Sequence, residues 1–157
     1  MPTVIPHLWF AEKAGEATQF YASLLPDSHV DRITTIPAES PAGPAGSVEV
    51  VDFTLMGRPF RAIGAGPLDP FNHAVSFVVP CDTQADLDRL WEAFSQGGEI
   101  EQCGWLKDRY GVCWQIVPAR LTEMMADPDP ARAARVAKAM LTMVKFDIAA
   151  LEQAARG

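Results

Sequence analysis

Apolar and polar positions follow one grammar twice along this chain. Val4-Ile5-Pro6-His7-Leu8-Trp9-Phe10 reads as a strand over residues 4–10 that carries large apolar groups. Ala17, Phe20, Tyr21, Leu24 and Leu25 then fall at helical spacing and predict a helix over 13–25, which Pro26-Asp27-Ser28 ends. Residues 29–36 read as a second strand, and the proline- and glycine-rich segment 37–46 as a loop. Between 47 and 55, Val51, Phe53 and Leu55 alternate with Asp52 and Thr54, which predicts a strand with one apolar face. Met56-Gly57 reads as a hairpin turn into a further strand, 59–64.

The pattern then restarts. His73-Ala74-Val75-Ser76-Phe77-Val78-Val79 predicts a strand over 73–79. Thr83 with Asp86 makes a capping-box-like start for a helix over 83–96, whose stripe is Leu87, Leu90, Trp91 and Phe94. Gly97-Gly98 closes it, and two short strands follow near 104–107 and 112–117. A repeated order of strand, helix and strands predicts an α+β fold of two βαβββ modules, residues 1–66 and 67–119. The tail, 120–157, is helical: Asp129-Pro130 starts a helix over 130–144 with the stripe Ala133, Val136, Ala137, Met140, Leu141 and Val144. Asp147 caps a last short helix carrying Ile148 and Leu151. The stripe must be covered by the chain's own domain or by a second subunit, and a homodimer held partly by the tail is the expectation.

The words on this frame are specific. Pro6-His7-Leu8-Trp9-Phe10, Phe20-Tyr21 with Leu24-Leu25-Pro26, Ala74-Val75-Ser76-Phe77 and Cys103-Gly104-Trp105-Leu106-Lys107-Asp108 belong to the set. So do Tyr110-Gly111, Trp114-Gln115-Ile116-Val117-Pro118 and the tail's Asp127-Pro128-Asp129-Pro130. Together they resemble the PhnB-like branch of the vicinal oxygen chelate (glyoxalase/bleomycin resistance/dioxygenase) superfamily over essentially the whole chain. The resemblance implies a curled mixed or antiparallel sheet around a cavity, followed by C-terminal helices. It also implies a divalent metal held by His, Gln and Glu side chains from the first and last strands of each module. Carried over residue by residue, His7 stands at the first-strand position and Gln115 at the last-strand position. His73 stands one residue from the position that Ala74 occupies. The closing strand of the first module, Arg61-Ala62-Ile63-Gly64, offers no carboxylate. Two neutral ligands and an amide leave a divalent charge uncompensated, so the expectation is no metal or a weakly bound one.

Members of that branch often carry the name 3-demethylubiquinone-9 3-methyltransferase. A conventional S-adenosylmethionine site needs a doubly wound domain with a glycine-rich loop opening a helix. Here Gly64-Ala65-Gly66 runs into Pro67 and Pro70 and opens no helix, which argues against that chemistry. Trp9, Phe53, Phe60, Phe77, Trp105 and Trp114 all lie on predicted strands, and aromatic walls suit a flat, partly aromatic ligand. The leading expectation is therefore a binder of a small, partly aromatic molecule. The alternatives are a metal-dependent lyase, isomerase or dioxygenase, and a drug-sequestering resistance protein.

Charge and cysteines narrow the partners. A net charge of −7 with scattered Lys and Arg excludes nucleic acid as an expected partner. Three cysteines without CxxC spacing fit free thiols in a reducing cytoplasm. No apolar stretch approaches the roughly 20 residues that span a bilayer, so no membrane partner is expected.

Overall fold

The computed structural model describes residues 1–157, which divide into two units, Met1–Pro70 and Phe71–Gly157. In the first, β1 (His7–Phe10), α1 (Ala14–Leu24), β2 (His29–Thr35), β3 (Glu49–Leu55) and β4 (Arg58–Gly64) follow in order. Met56 and Gly57 both take positive φ, 49° and 75°, the geometry of a two-residue hairpin turn whose twist matches the strands. The sheet order is β1-β4-β3-β2, with β1 parallel to β4 and the other pairs antiparallel. Helix α1 covers the face that bears Leu8, Phe10, Val51, Phe53, Leu55 and Ala62, all buried. Its first turn is capped from the sheet: Glu49 Oε1 accepts from the Gly15 N–H at 2.6 Å, where the helix dipole favours an anion.

The second unit repeats the plan. Strand β5 (Phe77–Cys81), helix α2 (Gln84–Ser95), β6 (Glu99–Ile100), β7 (Trp105–Lys107) and β8 (Cys113–Pro118) build a sheet of order β5-β8-β7-β6. Again the first strand runs parallel to the last, and the others pair antiparallel. Thr83 Oγ1 accepts from the Asp86 N–H at 3.1 Å and caps α2. Leu87, Leu90, Trp91 and Phe94 are buried, and the Phe94 ring lies 4.7 Å from that of Trp114 on β8.

Buried Asp108 joins the β7–β8 turn to this core. Its Oδ1 accepts from the Tyr110 N–H at 2.8 Å and the Val112 N–H at 3.0 Å, and its Oδ2 from Trp114 Nε1 at 2.8 Å. One carboxylate thus satisfies two turn amides and the indole that packs on α2.

The tail forms α3 (Leu121–Met125), α4 (Pro130–Met140) and α5 (Ile148–Arg156), all within the second unit. Asp129 and Asp147 cap α4 and α5 through Ala131 and Ala150. Val136, Phe146 and Leu151 are buried. Gln84 on α2 accepts from the Ile148 N–H at 2.8 Å and donates to the Phe146 carbonyl at 3.0 Å. Gly104, at φ 78°, lies directly against the Phe146 ring, where no Cβ would fit.

Several boundaries differ from the sequence reading. The second module's first strand starts at Phe77 rather than at 73, because Asn72 Oδ1 accepts from the Ala74 N–H at 2.8 Å and holds a turn there. The strand expected over 4–10 is confined to His7–Phe10, and the helix expected over 130–144 stops at Met140. Beyond Met140 the chain leaves the helix and buries Phe146, while Leu141 (66%) and Val144 (39%) stay exposed. Strand β6 and helix α3 were too short to show a period. No helix is long and apolar enough to cross a membrane.

Replacing Asp108 by Ala strands two buried donors and a part-buried one and is expected to cost about 3–5 kcal/mol in urea unfolding. A loss below about 1 kcal/mol would show that the carboxylate does not hold the turn.

Candidate functional site

Strand alternation sorts the aromatic side chains. Phe53 is buried under α1 with its ring 5.4 Å from that of Phe60, its cross-strand partner on the same face. Phe77 and Trp114 share the α2 face, their rings 5.4 Å apart. These four of the six aromatic candidates therefore belong to the layer between sheet and helix. Trp9 and Trp105 sit on the opposite faces of their sheets and are half-buried. Trp9 is anchored by its Nε1, which donates to the Gly66 carbonyl at 2.9 Å.

On the first sheet, the face away from α1 is organised in two transverse rows. Arg32, Asp52, Arg61 and His7 pair in register across β2, β3, β4 and β1. Thr34, Val50, Ile63 and Trp9 form the adjacent row. Asp52 Oδ2 accepts from Arg32 Nη2 and Oδ1 from Arg61 Nε, both at 2.7 Å. These bonds, that from Arg61 first, hold the Asp52 carboxyl below its ordinary range. Alternation puts Asp52 on the polar face of its strand; the register ties it to two guanidinium groups. Part of that was legible, because Asp52 and Arg61 lie equally far from the Met56-Gly57 turn and must face each other. Arg32 was not legible, since a bulge between Val30 and Arg32 shifts β2 by one residue.

On the second sheet, the face away from α2 carries Val78, Gln115 and Trp105 in one row. Gln115 Nε2 donates to Ser76 Oγ at 3.0 Å. His73 precedes β5; its Nε2 lies 2.8 Å from Glu101 Oε2, and its ring 5.9 Å from that of Trp105. Ser76 lay within the expected strand 73–79 with no sign of a polar partner, and Glu101 carried no signal in the sequence.

The donor set does not fit a divalent ion. His7, in the first unit, lies opposite cationic Arg61, and the one carboxylate in its row is bonded to two arginines. In the second unit His73 is bound to Glu101, and Gln115 offers a neutral amide. No three His, Cys, Asp or Glu side chains come together as a metal set. Burial pushes the Cys81 thiol up to about 11 and also raises Cys113, which disfavours the thiolate of both.

The family model for 3-demethylubiquinone-9 3-methyltransferase matches residues 2–117. The chain belongs to this PhnB-like family of the vicinal oxygen chelate superfamily. Among solved structures, the PhnB protein from Bacillus cereus is 32% identical with a TM-score of 0.64, over 74% of this chain and 98% of that one. The fosfomycin resistance protein FosX from Mesorhizobium loti shares the fold at 14% identity and a TM-score of 0.56, over 80% and 98% of the two chains. A FosX mutant from Listeria monocytogenes, solved with Mn(II) and 1S,2S-dihydroxypropylphosphonic acid, matches at 11% and 0.50, over 75% and 91%. A search of curated proteins found no match. The PhnB-like chain thus shares a fold with a metal-bound relative, while its own rows put arginines and an amide where a metal set would need carboxylates.

The lowered Asp52 pKa sets a sign for pH dependence. The carboxylate stabilises the folded state above the ordinary aspartate value of 3.8, and the contribution is lost as pH falls through the lower folded-state value. The stability deficit of Asp52→Asn should be full at pH 7 and shrink below pH 3.8 in urea titrations. A deficit that does not change between pH 7 and pH 3 would show that the ion pairs contribute nothing.

Proposed function

We propose that this PhnB-like protein binds a small, partly aromatic molecule on the sheet faces that α1 and α2 leave uncovered. The observation that carries this reading is a half-buried indole on each such face, Trp9 and Trp105, with polar side chains in the same or the adjacent row. An indole of this kind offers a flat contact at low entropic cost, and neighbouring polar groups orient the ligand. Sequestration of such a molecule is the nearest variant of this reading. A lyase, isomerase or dioxygenase reaction would need a metal, which this donor set does not fit. The family name implies methyl transfer, but Gly64-Ala65-Gly66 closes β4 and opens no helix, so we do not assign a conventional S-adenosylmethionine site.

N-phenyl-1-naphthylamine, a neutral flat fluorophore, tests the reading. It should bind the full chain, and Trp9→Ala or Trp105→Ala should each weaken binding about five- to tenfold, the scale of one aromatic contact. No binding, or binding that neither variant changes, would sink the proposal.

Free thiols support a cytoplasmic location, and the exposed apolar groups of the tail support a homodimer as the working state. Exposed Leu141 and Val144, just past α4, join Met125 at the end of α3 as large apolar groups of the tail that its own unit does not cover. Analytical ultracentrifugation should give about twice the 17.1 kDa chain mass. Leu141→Asp should shift the chain toward monomer; a monomeric wild type defeats the dimer, and a variant that stays dimeric moves the interface off the tail.

A further inference from the structure

We propose that the ligand of the first sheet is an anion, with its acidic group on Arg61 and its ring on the row that ends at Trp9. This rests on the binding reading above and names the chemical class that this face accepts.

The argument starts from how Asp52 uses its two oxygens. It takes Arg61 through Nε and Arg32 through a single Nη, each at 2.7 Å. Both terminal nitrogens of Arg61 are left without a protein partner, so a guanidinium already oriented by Asp52 presents its outer edge. That edge matches the two oxygens of a carboxylate, sulfonate or phosphonate. Two arginines against one aspartate leave the row with a net positive charge, and the row ends at His7 on the edge strand. Asp31, the next carboxylate along β2, is occupied by His29 at 3.0 Å and by the Thr54 hydroxyl at 3.0 Å.

The adjacent row supplies the other half of the recognition. Val50, Ile63 and Trp9 lie two residues further along their strands, about 7 Å from the charged row. A bicyclic or ring-plus-linker acid spans that separation. The chain as a whole carries −7, which repels anions from most of its surface and leaves this row as an exception. A purely structural triad would explain the ion pairs but not the apolar row beside them or the unused edge of Arg61.

The test compares two probes with the same rings. 8-Anilino-1-naphthalenesulfonate differs from N-phenyl-1-naphthylamine by one sulfonate. In low-salt fluorescence titrations of the full chain, the sulfonate should bind about tenfold tighter, as expected for a charge-assisted bidentate contact. Arg61→Gln should bring the sulfonate down to the neutral probe and leave the neutral probe within about twofold. Asp52→Asn should tighten sulfonate binding, because it removes the competing carboxylate; a triad that only braces the sheet would weaken binding in both variants. Arg61→Lys, which keeps the charge but not the fork, should fall between wild type and Arg61→Gln. The inference is overturned if the sulfonate binds no tighter than the neutral probe, if Arg61→Gln affects both alike, or if Asp52→Asn weakens the sulfonate. Neutral-probe binding that Trp9→Ala removes, without any sulfonate preference, would leave the binding reading standing and defeat the anion alone. Failure of both probes defeats both.

Discussion

Each four-stranded sheet has one helix on one face, and strand alternation does the rest. The large apolar side chains at the centre of the α1 and α2 faces belong to packed layers, so the alternate residues are the ones better placed to meet a ligand. Phe53 and Trp9 are both large aromatics on strands, yet they differ in availability because one shares the face of α1 and the other does not. Fully burying such a side chain stabilises the fold by about 1.5–3 kcal/mol, so the helix face cannot be given up to a ligand without a large loss.

Polar groups inside the packed layers tie sheet to helix at defined points. Glu49 reaches from β3 to the first turn of α1, and Asp108 joins a β-turn to the indole that packs on Phe94. Each carboxylate meets backbone N–H groups that would otherwise lie unpaired at a helix start or a tight turn. The second unit adds the tail, docked through Gln84 and the close approach of Gly104 to Phe146. The hydrophobic layers give stability, and these polar points fix the register between the layers.

The faces away from the helices are where this chain departs from the pattern that its superfamily resemblance implies. A divalent site needs converging anionic or imidazole donors, whereas the first sheet places an aspartate between two arginines. The second pairs a histidine with a glutamate outside the strands and leaves an amide on β8. Such rows suit recognition by hydrogen bonds and stacking better than they suit a Lewis acid. The fold is shared with a protein solved with Mn(II), but a fold does not carry its chemistry with it.

Periodicity in the sequence determined the elements of this protein and their repetition. The stripes Ala17/Tyr21/Leu25 and Leu87/Leu90/Trp91/Phe94 specify helices with one buried face, and Val51/Phe53/Leu55 specify a half-covered strand. The Met56-Gly57 turn even determined that Asp52 faces Arg61, because a two-residue hairpin fixes pairing by distance from its centre. Periodicity could not say that Arg32 and His7, on the two outer strands, would align with that pair, since a bulge and a parallel crossover set those registers. Nor could it place His73 beside Glu101, 28 residues away, or turn the chain at Asn72 before the expected strand began. Local pattern records which side chains avoid water, and that is enough for helices, strands and hairpins. Which polar groups meet across strands depends on distant registers, and only the tertiary structure decided that.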